Sequence, residues 1–282
     1  MVPGVLGALP DNSRDLIPPC AMMFFVPPLF SVRNAAPADA LPAGRIGYDP
    51  SADRLLLHTI QTEDAVEELL STGQLRPNAS LTDPWFADAY KWMQAQMATR
   101  LTTSGEGALW FWARIRRRDL VDCCRAARGE VLLTCRLPRE RVLLSHFGDW
   151  HAVLNENPHV PDLPGESEDE YDVRFDAIFD AFGDRKKAAG VGGASARDWP
   201  QDLRTEIEQT WEHIFQPLAF GRSSALQATA HVLYADDVVE AVRLERRGPS
   251  QGPSSNLADL RLESRELEIR NALESVGRQG GR

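Results

Sequence analysis

The sequence predicts an α+β domain over residues 46–246, a twisted, mainly antiparallel split sheet with helices packed on it. Three observations lead there. Residues 55–76, LLLHTIQTEDAVEELLSTGQLR, join an apolar strand run to a short capped helix. Two further segments, ALWFWARI at 108–115 and EVLLTCRL at 130–137, have the length and residue types of buried strands. Other stretches place apolar residues at helical spacing, so strands and helices are mixed rather than strictly alternating.

The first unit organises the rest. Leu55, Leu56 and Leu57 are too short an apolar run for a helix, and His58, Thr59 and Ile60 continue it in extended form. Thr62 is placed to cap a helix whose first turn carries Glu63 and Asp64, both favourable at the positive end of the helix dipole. Ala65, Val66, Leu69 and Leu70 form its apolar stripe, and Gly73 suits a left-handed C-cap. His58, Thr59 and Gln61 are left at the strand exit, a favourable place for a pocket.

The following elements are predicted in chain order. Asp83 and Pro84 open a helix with Phe86, Tyr90, Met93, Met97 and Leu101 on one face, widened by Trp85 and Trp92. In the strand at 108–115, alternation puts Trp110, Trp112 and Arg114 on one face and Leu109, Phe111, Ala113 and Ile115 on the other. Residues 119–127 form a short helix ending at Gly129, and the strand at 130–137 is broken by Pro138. Residues 142–147 are extended and 149–155 helical. The acidic run 166–170 leads into a helix bearing Tyr171, Phe175, Ile178, Phe179 and Phe182. Residues 183–197 are glycine-rich and expected to be mobile; their GVGG lacks the lysine and the preceding strand of a phosphate loop. A helix over 200–215 carries Leu203, Ile207, Trp211 and Ile214. Residues 225–233 and 238–244 are closing strands around the turn Ala235-Asp236-Asp237.

Composition bounds the function. A net charge of −10 over 282 residues disfavours long-range attraction to nucleic acid, yet nine arginines face only four acids between residues 114 and 141. The four cysteines lack metal-ligand spacing, which fits reduced thiols in a cytoplasmic protein. The early apolar stretch at 21–26 is far short of the ~20 residues of a membrane span, and no signal-peptide pattern is present. Residues 1–45 are rich in Pro, Ala and Gly and are expected to be a disordered extension. An over-extended reading frame, with Met22 or Met23 nearer the true start, would account for them. Residues 247–282 are expected to be a flexible tail able to form a short helix with Leu260, Leu267 and Leu273.

Three constellations bear on chemistry. His146, Asp149 and His151 are metal-ligating types, but their spacing matches no helical ligand pair, so no metal is expected. Cys123 and Cys135 lie in apolar surroundings that favour inert thiols over nucleophiles. The third is dispersed: His58, Thr59 and Gln61; Trp110 and Trp112; Trp150, His151 and Asn155; Trp211 and Glu212; and Gln227. Aromatic walls with a few amide and imidazole groups suit a flat polar heterocycle such as a nucleobase or nicotinamide. The same tryptophans would equally serve as core.

Taken in order, LLHTIQ, WFWARI, LLSHFGDWHAVLN, TWEHIF and LQAT resemble a bacterial family known only as a domain of unknown function, from about residue 55 to residue 242. More distantly, LLHTIQ followed by a helix and STGQL is similar to the opening strand and helix of ADP-ribosyltransferases, especially toxin-like enzymes that modify nucleic acid bases. That resemblance implies NAD as cofactor, with His58 and Thr59 on its adenosine side and aromatic residues around nicotinamide. It also implies a late-strand glutamate that promotes C–N cleavage. Gln227 stands at that position here. A neutral amide stabilises an oxocarbenium cation less than a carboxylate does, which leaves Glu212 as a substitute or a pocket without transferase activity. The cofactor residues implied are His58, Thr59, Gln61, Trp110 and Trp112. Trp150, His151, Asn155, Arg114 and Arg116 are the substrate residues, with residues 114–118 near a nucleic acid or nucleotide phosphate. The competing expectation is a non-catalytic module that binds a ligand or partner, and a metal-dependent hydrolase comes third.

Overall fold

A computed structural model describes residues 30–42, 46–47, 49, 51–78, 80, 82–216 and 225–246. The expected start at Met22 or Met23 and the tail helix with Leu260, Leu267 and Leu273 lie outside the described residues.

Strand β1 (Val32–Ala35) is followed by β2 (Arg54–Gln61) and helix α1 (Glu63–Thr72). The Thr62 hydroxyl accepts from the Ala65 N–H at 3.2 Å, and the helix stops at Gly73, whose φ of +79° is left-handed. Short strand β3 (Gln74–Leu75) leads through a 3-10 turn, Pro84–Phe86, into α2 (Ala87–Arg100). Then come β4 (Leu109–Arg114), α3 (Arg117–Ala126), β5 (Val131–Pro138), β6 (Leu143–His146) and α4 (Phe147–Leu154). Helices α5 (Glu168–Ala188) and α6 (Gln201–Trp211) precede β7 (Leu226–Ala230), β8 (Leu233–Tyr234) and β9 (Val238–Leu244).

The main sheet has seven strands in the order β1-β9-β5-β2-β4-β7-β6, and β3 pairs with β8 in a separate ribbon. Among the described residues only β1 and β9 run parallel. The expected split takes a particular form. Among the described residues β2 and β4 share one paired position, His58 with Trp112, and diverge beyond it, whereas β2 and β5 pair over eight residues. Two well-zipped half-sheets thus meet at a narrow join.

Alternation fixes what each face does. Leu55, Leu57, Phe111, Ala113, Leu133, Cys135, Leu226 and Ala228 form one core beneath α1, with Val66 and Leu69. The opposite face carries two cores. One, with Trp92, Met93, Trp150, Leu203, Ile207 and Trp211, packs α2, α4 and α6 near β6. The other, with Leu120, Cys124, Leu132 and Val242, packs α3 near β9. Between these two cores lies the join.

Several expectations are corrected. Residues 32–35, inside the stretch expected to be disordered, pair with β9, and Ala35, Ala40 and Leu41 are buried. Four residues of edge strand are too few for a visible periodicity. Gly183 is helical rather than part of a mobile loop, because α5 has a full Ser167/Glu170 capping box and Arg185, Lys186 and Lys187 in its last turn. Trp85 is 88% exposed instead of joining the α2 face. The strand expected over 225–233 is two: β7 ends at Ala230, and Leu233 crosses to pair with Leu75. The two closing strands do surround the turn at Ala235–Asp237, but β7 and β9 belong to opposite half-sheets. Among the described residues no helix is long and apolar enough to cross a membrane.

Candidate functional site

Register places a polar row straight across the sheet. Glu240 pairs with Thr134, Thr134 with His58, His58 with Trp112, Trp112 with Gln227 and Gln227 with Ser145. Directly opposed residues project from the same face, so these six side chains share the surface between the two upper cores. His58 is 1% exposed and Gln227 5%. The His58 Nδ1 lies 3.2 Å from the Thr134 hydroxyl. The His58 Nε2, Gln227 Nε2 and Ser145 Oγ are buried with no hydrogen-bond partner among the described residues. Each such group costs about 1–3 kcal/mol, so three in one row is a concentration that packing alone does not favour.

Over this row lies a cavity of about 370 Å³. Its floor is His58, Trp110, Trp112 and Gln227; Phe147, Trp150 and His151 of α4 and Tyr90 of α2 wall it. The rings support one another: Trp110 and Trp150 centroids are 5.2 Å apart, Trp112 and Phe147 4.9 Å, and Tyr90 meets Trp110 edge-on at 5.8 Å. Burial lowers the His58 pKa to about 4 against an opposing pull from Glu240, so the imidazole is neutral at pH 7. The His151 Nδ1 faces the carbonyls of Phe147 and Gly148 at 3.1 and 3.2 Å. Carbonyls only accept, so Nδ1 carries a proton.

A second cavity of about 410 Å³ shares Thr59, Ile60, Tyr90 and Trp110 with the first. It opens where β2 and β4 diverge, and Gln61, Arg76, Asn78 and Gln94 add polar groups to its lining. The Gln61 amide donates to the Thr59 hydroxyl at 2.8 Å.

Of the residues singled out from sequence, His58, Thr59, Trp110, Trp112, Trp150, His151 and Gln227 line the first cavity, and Gln61 lines the second. The others lie elsewhere. Asn155 lines a third cavity beyond α4. Glu212 sits in the 3-10 turn after α6, ion-paired with Arg100, and does not reach the site. Trp211 is buried in core beside Trp92. Arg114 ends β4 at a register shift opposite Leu226, and Arg116 bonds Asp119 at 2.5 Å. Arg117 donates to the Pro42 carbonyl at 2.9 Å. The basic segment at the start of α3 is thus engaged locally.

The sequence did not point to Tyr90, Phe147, Thr134 or Ser145 as site residues. Tyr90 reads as core from helical spacing, and the others gain meaning only from the pairing register. Asp149, grouped above with His146 and His151, instead sits between His146 at 2.8 Å and His159 at 3.2 Å. Burial works to raise its pKa, but hydrogen bonds from the two imidazoles prevail and hold the carboxyl well below the usual range. Burial raises the pKa of both the Cys123 and the Cys135 thiol, which makes neither a ready nucleophile. Among the described residues no group of three or more His, Cys, Asp or Glu is arranged to hold a metal ion.

Residues 56–239 match the family described as "Domain of unknown function (DUF3841)". The chain belongs to this family. No curated protein and no solved structure matched it. The DUF3841 match begins at Leu56 in β2 and ends at Val239 in β9, so the half-sheet join, every residue of the polar row but Glu240, and the α2 and α4 walls fall within it.

Proposed function

We propose that this cleft binds NAD in the manner of an ADP-ribosyltransferase, with nicotinamide in the aromatic cavity and the adenosine side running toward Gln61 and Arg76. The observation that carries the reading is the polar row at the join: neutral His58 and the Gln227 amide, both buried with unpartnered nitrogens, under a cage of tryptophans. A nicotinamide ring in NAD is flat and cationic, which suits indole faces. Its carboxamide offers an acceptor for the Gln227 N–H and a donor for an imidazole lone pair. The adjoining polar cavity then gives the rest of the dinucleotide a path past the Arg76 cation.

The reaction of such enzymes breaks the bond from nicotinamide N1 to ribose C1′. The electron pair leaves on nicotinamide, and an acceptor attacks C1′. A carboxylate near the ribose stabilises the cationic transition state. No carboxylate lines this first cavity among the described residues, and Glu212 is occupied elsewhere. The protein is accordingly proposed to bind NAD with little or no transfer, which joins the sequence resemblance to these enzymes with a ligand-binding role.

Calorimetry with NAD and with free nicotinamide, run beside an assay for nicotinamide release, tests both parts. Saturable NAD binding with release near background is expected, and Gln227→Glu should raise the release rate. Absence of heat for either compound at millimolar concentration would remove the reading.

A further inference from the structure

We propose that the groove between α4 and α5 is a second binding site, one that takes the guanidinium of an arginine side chain on a peptide or protein. The groove encloses about 270 Å³ and lies behind His151, which also lines the first cavity. Its wall from α5 is aromatic: Phe175 and Phe179 stack with centroids 4.1 Å apart, and Tyr171 adjoins Phe175 at 5.9 Å. Opposite are polar groups with unused acceptor capacity. The His159 Nε2 lies 3.2 Å from a carboxylate oxygen of Asp149 and so carries the proton. In the neutral ring its Nδ1 is an acceptor, and it is buried without a partner among the described residues in a side chain only 7% exposed. The Asn155 amide nitrogen donates to the His151 carbonyl at 2.7 Å, which leaves its oxygen to accept.

Acceptors facing an aromatic wall call for a flat group rich in N–H. Charge specifies it further. From residue 156 to residue 180 there are nine acids against a single Lys or Arg, Arg174. That arginine already displays the chemistry at the groove's rim. Its guanidinium bonds Glu166 and lies 5.4 Å from the Tyr171 ring centroid. Planar geometry, five N–H donors and affinity for aromatic faces make an incoming guanidinium the matching ligand, where a lysine ammonium would present a point charge.

The test titrates N-acetyl-arginine methylamide into the full chain, with the citrulline and lysine analogues as controls, by calorimetry or by shifts of the Asn155 amide signals. Saturable binding of the arginine compound is expected, weakened about tenfold for the citrulline isostere and for Phe179→Ala. Asn155→Ala, at an exposed position, should weaken it several-fold without loss of fold. Equal binding of citrulline, no saturable binding, or indifference to both variants would overturn the proposal. NAD binding is not required for any of these outcomes. A chain that binds the arginine compound but not NAD keeps this site and loses the reading of the cleft; the converse keeps only the cleft.

Discussion

His58 and Trp112 are paired across the narrow join of the sheet, imidazole beside indole on one face, and this contact brings the polar row under the aromatic cage. Gln227 pairs with Trp112 from the other side. An unpartnered amide here is costly to the free protein and useful only to a bound one. Gln227→Leu should therefore leave stability unchanged or raise it by about 1 kcal/mol, while weakening NAD binding about tenfold or more. Thermal melts with and without NAD read both effects. A melting temperature lowered by several degrees in the free variant would mean that the amide is structurally satisfied, contrary to the proposed role as a ligand donor.

His58 also dictates a pH dependence. Its pKa is lowered from 6.5 to about 4 in the folded chain, chiefly by burial. Between those values the unfolded chain holds a proton that the folded chain refuses. Stability from this group is thus intact above about pH 6.5 and declines as pH falls toward 4, by about 3 kcal/mol for a shift of this size. His231 is lowered by burial too and bends the curve the same way. The readout is therefore the difference between the native chain and His58→Asn in urea melts from pH 7 to pH 4. A native slope identical to that of the variant would contradict the buried neutral imidazole.

What could be read from the sequence follows how local each signal is. Thr62 and Gly73 announce α1 because a cap reaches only three or four residues along the chain. Trp110 and Trp112 announce a shared face because strand alternation is local as well. Thr134 and Ser145 give no such sign. They join His58 and Gln227 only through β2–β5 and β6–β7 registers set by partners distant in sequence. Glu212 was drawn in by its neighbour Trp211, yet the turn at the end of α6 sends it to Arg100 at the surface. The edge strand β1 was hidden because its partner β9 lies some two hundred residues away and supplies the order that Val32–Ala35 lacks alone.

Gly73 allows a clean measure of one local term. Its φ is +79°, and a Cβ built there would meet nothing within 4 Å. Gly73→Ala therefore costs backbone strain alone, about 1 kcal/mol, with no change in packing. Denaturant melts should show a lower midpoint at an unchanged slope. A loss of 3 kcal/mol or more would imply a contact that this geometry lacks.

Asp237 anchors the turn between the β8 ribbon and β9, and its loss should be the most damaging single change. Its carboxylate accepts from Arg141 at 2.6 and 2.7 Å, from Arg54 at 2.9 Å and from the Tyr234 backbone N–H at 3.3 Å. Arg141 is largely enclosed and lies over the Tyr234 ring, so it cannot regain full hydration if the acid is removed. Arg54 is half-exposed and can turn to water. Asp237→Ala should cost about 3–5 kcal/mol, the usual consequence of stranding a buried charge. The double variant Asp237→Ala with Arg141→Met should recover part of the loss, because the stranded cation is gone. Urea melts of the two variants decide the point: equal stabilities would place the cost in the turn backbone instead of in the uncompensated guanidinium.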